Sequence, residues 1–322
     1  MSFNDANEII VVDDMPDEIK REKKYVSGLF FRIVISSVAA YISIILIVKL
    51  IHSFFPKVYD NSFASLLVND LYTVCTILVF SLLSRRLIPQ KTVVMDKMTF
   101  KSFVSLVIIS FFLMITGSIV GNVVSAYVGK IINIEMVNVV DEIVSEFPAW
   151  QIFIAVVIIA PITEEYLFRK LIITRVTKYG TTFAVLFSGI LFGTFHGNFY
   201  QFFYASAIGI LLSYVYCIYG KLRFCILIHS ILNFFGSIVP LYISNNALES
   251  GTIASIITYA YSLLMMLSPP LGIFLLISYF KRFRFFTVSG VLIHPEKTLL
   301  KNIGFIIYIV VTLIFFALSI FA

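Results

Sequence analysis

Charged residues are scarce in this sequence, and their scarcity decides the class of protein. Only 13% of the 322 residues are Asp, Glu, Lys or Arg, whereas 60% are hydrophobic, and the mean hydropathy is +0.99. A soluble domain carries about 25% charged residues. The composition therefore excludes an ordinary soluble enzyme and predicts an all-α, polytopic bundle of membrane helices.

Other absences exclude further classes of protein. The three cysteines, Cys75, Cys217 and Cys225, show no CxxC spacing, so the sequence predicts neither a disulfide framework nor a thiolate metal site. The HExxH motif of many zinc proteases is also missing. No basic stripe with interleaved aromatic residues stands outside the apolar segments, so the lipid bilayer is expected as a partner and nucleic acid is not.

Apolar stretches of about 20 residues, the length that spans a bilayer, recur along the chain. They predict eight or nine transmembrane helices, and the count adopted is nine, at 31–54, 63–83, 100–124, 149–177, 181–196, 199–219, 222–243, 252–280 and 303–321. Residues 193–203 are predicted either as a boundary between two spans or as a re-entrant turn, because they contain two glycines and an Asn. Residues 125–148 are typical of a short amphipathic helix at the outer interface.

The distribution of Lys and Arg predicts the orientation of the chain. Twenty of the 24 fall in segments that would share one side of the membrane: 20–24, 85–101, 169–178, 221–223 and 281–301. Because cytoplasmic loops are rich in Lys and Arg, we predict a cytoplasmic N-terminus. The acidic N-terminus and the Ile- and Phe-rich helices favour a bacterial cytoplasmic membrane.

The most informative polar residues lie in the span at 149–177. Glu164 and Glu165 are adjacent, and Arg169 follows four residues after Glu165. On a helix, the i, i+4 relation places Arg169 beside Glu165 and turns Glu164 about 100° away. Since charge within a bilayer is costly, the cluster is predicted to be a functional site. A purely structural ion pair is the alternative.

Two further polar clusters lie on the following helices. His196 ends the span at 181–196, while His229 and Asn233 are again separated by four residues. Helical rise of about 1.5 Å per residue places Glu164 and His196 at the same depth, with the other pair close enough for tilt to align them. These side chains are predicted to converge, although His229 and Asn233 could instead be interhelical hydrogen-bond partners.

The three clusters, in this order on successive apolar helices, resemble the CPBP family of intramembrane endopeptidases, which includes the CAAX prenyl proteases and bacterial Abi-type relatives. The matching residues are EExxxR at 164–169, FxxxH at 192–196 and HxxxN at 229–233. The resemblance covers about residues 149–240. It implies proteolysis within the membrane.

The resemblance also implies residue roles. Glu164 and His196 would activate a water molecule, His229 and Asn233 would donate hydrogen bonds to the oxyanion, and the supporting residues would be Glu165 and Arg169. No cofactor is needed in this scheme. A zinc-dependent version would use Glu164, His196 and His229 as ligands.

The chain is accordingly divided into four units. Residues 1–25 are predicted as a flexible acidic cytoplasmic tail, 26–148 as N-terminal transmembrane helices with an interfacial segment, 149–245 as the CPBP-like catalytic core, and 246–322 as C-terminal transmembrane helices.

The predicted substrate is a hydrophobic peptide or membrane protein. Two other functions stay open: a proton-coupled transporter, in which Asp70 and both glutamates would form a relay, and a catalytically silent membrane binding protein. Asp70 by itself is interpreted as an interfacial or cavity residue.

Overall fold

The computed structural model describes residues 16–55, 62–89, 96–246, 252–280, 298 and 301–320. Over these residues the chain forms helices and no strands, as predicted. The ten helices are α1 (Pro16–Phe54), α2 (Ser62–Leu83), α3 (Phe100–Ile132), α4 (Val139–Glu146), α5 (Ala149–Tyr179), α6 (Thr181–Phe195), α7 (Phe199–Tyr219), α8 (Leu222–Asn245), α9 (Thr252–Phe280) and α10 (Ile303–Ile320).

Eight of these helices are long and apolar enough to cross a membrane, so the protein is a multi-pass membrane protein. Eight agrees with the predicted eight or nine spans, and among the described residues one of the nine predicted ranges is too short to count. The predicted span 181–196 is α6, which has only 15 residues and is about 22 Å long, shorter than the roughly 30 Å hydrocarbon core of a bilayer. It ends early because Gly197, at φ 66°, turns the chain into α7.

Two predicted boundaries were also wrong. Helix α3 continues past residue 124 to Ile132 and ends where Asn133 takes a left-handed φ of 57°, so the interfacial helix is limited to α4. Helix α1 begins at Pro16, so residues 16–25 are helical and not part of a flexible tail. Pro is favoured in the first turn of a helix, and the Lys- and Glu-rich residues that follow are good helix formers. Residues 1–15 lie outside the described residues.

The basic segments meet at one end of the bundle, as their alternation predicts. Lys178 at the end of α5 lies 3.8 Å from Glu22 in α1, and the Asp96 N–H donates to the carbonyl of Ile218 near the end of α7. Arg32 of α1 donates to the Leu83 carbonyl at the end of α2. The segment 281–301 lies almost wholly outside the described residues. Which side of the membrane this end faces stays a prediction.

Helix α7 is the centre of the bundle. It packs against α6 and α3, while α3 also packs against α9, and α1 packs against α2 and α10. In the apolar window of α7, 67% of the residues are buried, against 11% in α9 and 17% in α10. The outer helices expose large apolar side chains such as Leu46, Phe274 and Leu313, which suits contact with lipid rather than water.

Helices α6 and α7 approach closely at two glycines of α6. A Cβ atom at Gly189 would lie 2.5 Å from the backbone nitrogen of Ile210, and one at Gly193 would lie 2.6 Å from the carbonyl oxygen of Phe202. Small residues allow membrane helices to pack backbone to backbone. This contact places polar side chains of α6 and α7 next to α5.

Candidate active site

Helix α5 carries the two glutamates between two π-helical segments. The backbone is π-helical over Phe153–Ile159 and again over Tyr166–Ile173. In the first segment the Ala160 N–H donates to Ala155, five residues earlier. Pro161, five residues after Val156, has no N–H to donate, so this register leaves the Val156 carbonyl without a backbone partner. Interruptions of this kind are frequent at functional sites.

The side chain of Asn233 satisfies that carbonyl. Its amide nitrogen Nδ2 donates to the Val156 oxygen over 2.7 Å, which ties α8 to α5 eight residues before Glu164. The predicted meeting of the third polar cluster with α5 is therefore present. One N–H of Asn233 is occupied in this contact, and the other is left for a second acceptor.

Glu165 and Arg169 form the buried ion pair that the i, i+4 spacing predicts. Arg169 Nε lies 2.7 Å from Glu165 Oε2, and both side chains are fully buried. The Arg169 guanidinium also donates to the hydroxyls of Ser188 in α6 and Ser213 in α7, each at 2.9 Å. Three helices thus hold the guanidinium in place, and the carboxylate of Glu165 is fixed with it.

Glu165 in turn orients His229. The Nδ1 atom of His229 lies 3.0 Å from Glu165 Oε1, and because the ion-paired carboxylate is an acceptor, we assign the Nδ1 proton to this bond. The Nε2 atom then points towards Glu164, 3.8 Å from its Oε2. One ring therefore joins the two adjacent carboxylates, which the sequence placed on different faces of α5.

Glu164 differs from its neighbour in exposure. Its side chain is 16% exposed and that of Glu165 is 0%. Glu165 has a cation and an imidazole within hydrogen-bond distance, whereas Glu164 has the more distant Nε2 of His229. Glu164 is accordingly the carboxylate that a small molecule can reach.

His196 lies at the end of α6, beside these groups. Its Nδ1 is 2.9 Å from the Phe192 carbonyl, so with a proton on Nδ1 its Nε2 has a free lone pair. It is close enough to Glu164 and His229 to interact electrostatically with both. The Phe192 ring touches both imidazoles, at 5.0 Å from His196 and 5.6 Å from His229. Glu164, His196 and His229 are therefore grouped together, whereas the printed contact of Asn233 with α5 is at Val156.

A cavity of about 500 Å³ opens beside His196. Its walls come from α1, α2, α5, α6 and α10, and most of its lining is apolar or aromatic. Several hydroxyl-bearing side chains interrupt that lining. Among them, Thr194 and Tyr308 are hydrogen-bonded to each other, and the Tyr72 ring stacks on Phe195. The cavity can hold an apolar group next to the polar cluster.

A comparison with protein families gives the region a name. The family model described as type II CAAX prenyl endopeptidase Rce1-like matches residues 146–235. Residues 146–235 are an Rce1-like domain. This match agrees with the CPBP/CAAX protease family expected from the sequence for this part of the chain. No curated protein and no solved structure matches the chain.

The Rce1-like domain contains all six residues singled out from the sequence, but it does not contain the whole site region. The match ends before α9 and begins after α3, so the cavity walls from α1, α2 and α10 lie outside it. The domain therefore supplies the polar cluster, and the remaining helices supply most of the apolar space beside it.

The zinc-dependent version of the site stays a prediction. Among the described residues, no three His, Cys, Asp or Glu side chains are grouped as ligands of one metal ion. The Nδ1 atoms of His196 and His229 are engaged with a carbonyl and a carboxylate. This leaves the Nε2 atom of each ring as the nitrogen that would bind a metal ion, with Glu164 as the third ligand.

Sequence reasoning missed Ser188 and Ser213, the two serines that hold Arg169. Both are fully buried and each also donates to a backbone carbonyl, of Phe168 and Gly209 respectively. A serine beside glycines in an apolar helix was the available signal, since small and polar residues mark helix contacts in membranes. Only the packing of α6 against α7 identifies Arg169 as their common partner.

Proposed function

We propose that this protein is an intramembrane endopeptidase that hydrolyses a peptide bond in a membrane-associated or hydrophobic peptide or protein substrate. One observation carries the proposal. Of two adjacent glutamates, Glu165 is locked by Arg169 and His229, while Glu164 is partly exposed beside His229 and His196. A fixed carboxylate beside an accessible one is the arrangement that a general base needs.

In this mechanism Glu164 and His196 activate water. A water molecule between them donates a proton to Glu164 as its oxygen adds to the peptide carbonyl carbon. Glu164 then gives that proton to the leaving amide nitrogen, and the C–N bond breaks. One water is consumed, the products are a carboxylic acid and an amine, and Glu164 returns to its starting state.

His229 and Asn233 stabilise the oxyanion. To donate in this way, His229 must carry a proton on Nε2 in addition to the Nδ1 proton accepted by Glu165, and Asn233 uses the N–H that does not bind Val156. Removing one such donor typically costs about 2.7–4 kcal/mol of transition-state stabilisation. Glu165 and Arg169 act as positioning residues, because they fix the His229 ring.

We propose that the reaction needs no cofactor. Metal analysis of the purified chain, combined with chelator treatment during peptide cleavage, tests this directly. Stoichiometric zinc that is lost together with activity, and restored together with it, would refute the metal-free scheme.

The substrate is proposed to be hydrophobic because an apolar cavity adjoins His196. A substrate bound in this cavity would place an apolar group next to Glu164, and that group would stay in apolar surroundings. We do not restrict the substrate to prenylated proteins. We further propose that the protein lies in a bacterial cytoplasmic membrane, with the basic end of the bundle and the N-terminus in the cytoplasm.

The alternatives differ in what they require of the glutamates. A carboxyl in a transport relay must change its protonation state during each cycle, but Glu165 is fully buried and held by a guanidinium. This contact argues against the relay of Asp70 with both glutamates. If the protein is a catalytically silent binding protein, loss of Glu164 should leave the abundance of every membrane peptide unchanged.

The decisive experiment compares the membrane peptidomes of cells that carry wild-type protein, Glu164→Gln or His196→Ala. Glu135→Gln is the matched control, because Glu135 is exposed and lies outside the helices. We expect at least one hydrophobic peptide or membrane protein to remain uncut in both site variants and to be cut normally in the control. If both variants express and the peptidome is unchanged, the protease proposal is wrong. Proton-driven uptake by vesicles that depends on Glu164 would favour the transporter.

A further inference from the structure

His196 lies where α6 ends, and the backbone of this last turn is held by long hydrogen bonds. The His196 nitrogen lies 3.3 Å from the Gly193 carbonyl oxygen, and the Gly197 nitrogen lies 3.2 Å from that of Thr194. Gly197 then turns the chain out of the helix at φ 66°. Bonds of this length are at or beyond the upper end of the usual range, and helix ends fray. The direction of the last turn therefore depends on contacts with neighbouring helices.

The imidazole of His196 moves together with this turn. Its Nδ1 atom lies 2.9 Å from the Phe192 carbonyl oxygen of the same helix, and its ring centroid lies 5.0 Å from that of the Phe192 ring. Both contacts join His196 to α6 and not to α5, which carries Glu164. A contact that fixes the last turn of α6 within the bundle therefore also sets where the His196 Nε2 atom lies relative to Glu164.

Thr194, two residues before His196, receives a hydrogen bond from another helix. Its Oγ1 atom lies 3.1 Å from the Ile190 carbonyl oxygen and 2.9 Å from that of Leu191, and it is also hydrogen-bonded to the hydroxyl of Tyr308 in α10. A threonine hydroxyl has one proton to donate, and carbonyl oxygens only accept. Thr194 therefore donates to its own helix, and Tyr308 is the donor of the interhelical bond.

The Tyr308 side chain is placed by close packing between α10 and α1. One turn earlier on α10, the Gly304 N–H donates to the Ser27 hydroxyl at 3.2 Å, and a Cβ atom at Gly304 would lie 2.5 Å from the Ser27 carbonyl oxygen. The Tyr308 ring packs on Phe30 of α1, with the ring centroids 5.4 Å apart. These contacts hold the phenol ring, so its hydroxyl is a fixed donor for Thr194.

Phe195, the residue directly before His196, contacts two other helices through its ring. It stacks on Tyr72 of α2, with centroids 5.1 Å apart and planes inclined by 29°, and it meets the Phe168 ring of α5 edge to face at 5.3 Å. Aromatic pairs tolerate a range of centroid distances, whereas a hydrogen bond depends steeply on distance and angle. The bond from Tyr308 is therefore the contact that defines the position of the turn most narrowly.

We propose that Tyr308 is a positioning residue for His196. Its hydroxyl holds Thr194, and with it the last turn of α6, so that the His196 imidazole stays beside Glu164. This role rests on the proposed protease function. Tyr308 lies outside the family match at 146–235, so α10 completes a site whose polar cluster belongs to the Rce1-like domain.

The substitution Tyr308→Phe removes the hydroxyl and keeps the ring that lines the cavity. A displacement of about 1 Å caused by a distant mutation can cost about 100-fold in rate. We expect kcat for peptide cleavage to fall by about 10- to 100-fold, with KM nearly unchanged because the apolar lining of the cavity is retained.

Tyr25→Phe is the matched control. The Tyr25 hydroxyl also donates to another helix, to the Arg175 carbonyl oxygen at 2.9 Å, but Arg175 lies eleven residues beyond Glu164 on α5. Both variants lose one interhelical hydrogen bond from a tyrosine, so their free energies of unfolding should fall by similar amounts. A merely structural role of Tyr308 would therefore give the two variants the same kcat, whereas we expect only Tyr308→Phe to lower it.

Hydrogen–deuterium exchange measured by mass spectrometry tests the contact without any substrate. The full-length protein in detergent is compared with both variants over a peptide that contains residues 193–199. We expect the amides of this last turn to exchange about 3- to 10-fold faster in Tyr308→Phe, the range that corresponds to loss of one hydrogen bond, and at the wild-type rate in Tyr25→Phe.

Thr194→Val removes the acceptor of the same bond and provides a second variant. It should reproduce both effects, and the double variant with Tyr308→Phe should be no slower than either single variant. Effects on kcat that multiply in the double variant would show that the two hydroxyls act separately, and would overturn the proposal.

The positioning role is also refuted if Tyr308→Phe elutes as a folded, monodisperse protein and lacks either effect. Unchanged exchange would show that the hydroxyl does not hold the turn, and faster exchange with an unchanged kcat would show that holding the turn does not serve catalysis. If exchange becomes faster in Tyr308→Phe but the wild-type protein cleaves no peptide, the contact with α6 stands and the protease proposal fails.

Discussion

Loss of Arg169 should be among the most destabilising single changes in this protein. The substitution Arg169→Met keeps an apolar side chain of similar length but removes the partner of a fully buried carboxylate. Removing one member of a buried pair typically costs about 3–5 kcal/mol, because the other charge is left uncompensated. Folded proteins have total stabilities of only about 5–15 kcal/mol. We therefore expect a large loss in the free energy of unfolding.

The two serines should add little to this loss. Ser188 and Ser213 each donate to a helix carbonyl as well as accepting from Arg169, so their hydroxyls keep one hydrogen bond each. The effect of Arg169→Met should then come mainly from Glu165, and it should shrink when Glu165 is also made neutral.

Reversible unfolding in mixed detergent and SDS micelles measures the free energy of unfolding of these variants. In the double-mutant cycle of Arg169→Met with Glu165→Gln, we expect a coupling energy of about 2–3 kcal/mol. Glu22→Gln is the control, since its ion pair with Lys178 is partly exposed and 3.8 Å long, and its loss should cost about 0–1 kcal/mol. Strictly additive effects of the two site variants would refute the assignment of the destabilisation to an unpaired carboxylate.

Two further predictions concern the backbone around the site. Asn233→Ala should cost about 1–3 kcal/mol of stability by leaving the Val156 carbonyl unpaired, and adding Pro161→Ala, which restores a backbone N–H, should recover stability but not peptide cleavage; recovery of both would show that Asn233 has no part in oxyanion binding. Gly193→Ala should destabilise by about 1–3 kcal/mol through overpacking, because its Cβ would meet the Phe202 carbonyl oxygen at 2.6 Å, whereas Gly236→Ala, with Met114 Sδ at 3.8 Å, should be close to neutral in the same unfolding assay.

The sequence alone determined the class of fold and the polar cluster of the site. Low charge and long apolar runs leave helices as the way to satisfy the backbone within a bilayer, and those helices were predicted to within a few residues at most boundaries. The Glu165–Arg169 pair could be predicted because both residues lie on one helix, where the spacing of four residues places their side chains in contact. His196, His229 and Asn233 were identified as polar residues at comparable depth.

Tertiary structure decided what the spacing within one helix cannot encode. The link from Glu165 to His229, the serines around Arg169, and the bond from Asn233 to Val156 each join different helices. Helix α6 was predicted to within one residue, but only the structure shows that Gly197, at φ 66°, turns the chain into α7 there.

A local pattern specifies each helix and its polar face. Close packing between helices determines which of these faces are in contact, and the site forms where they meet.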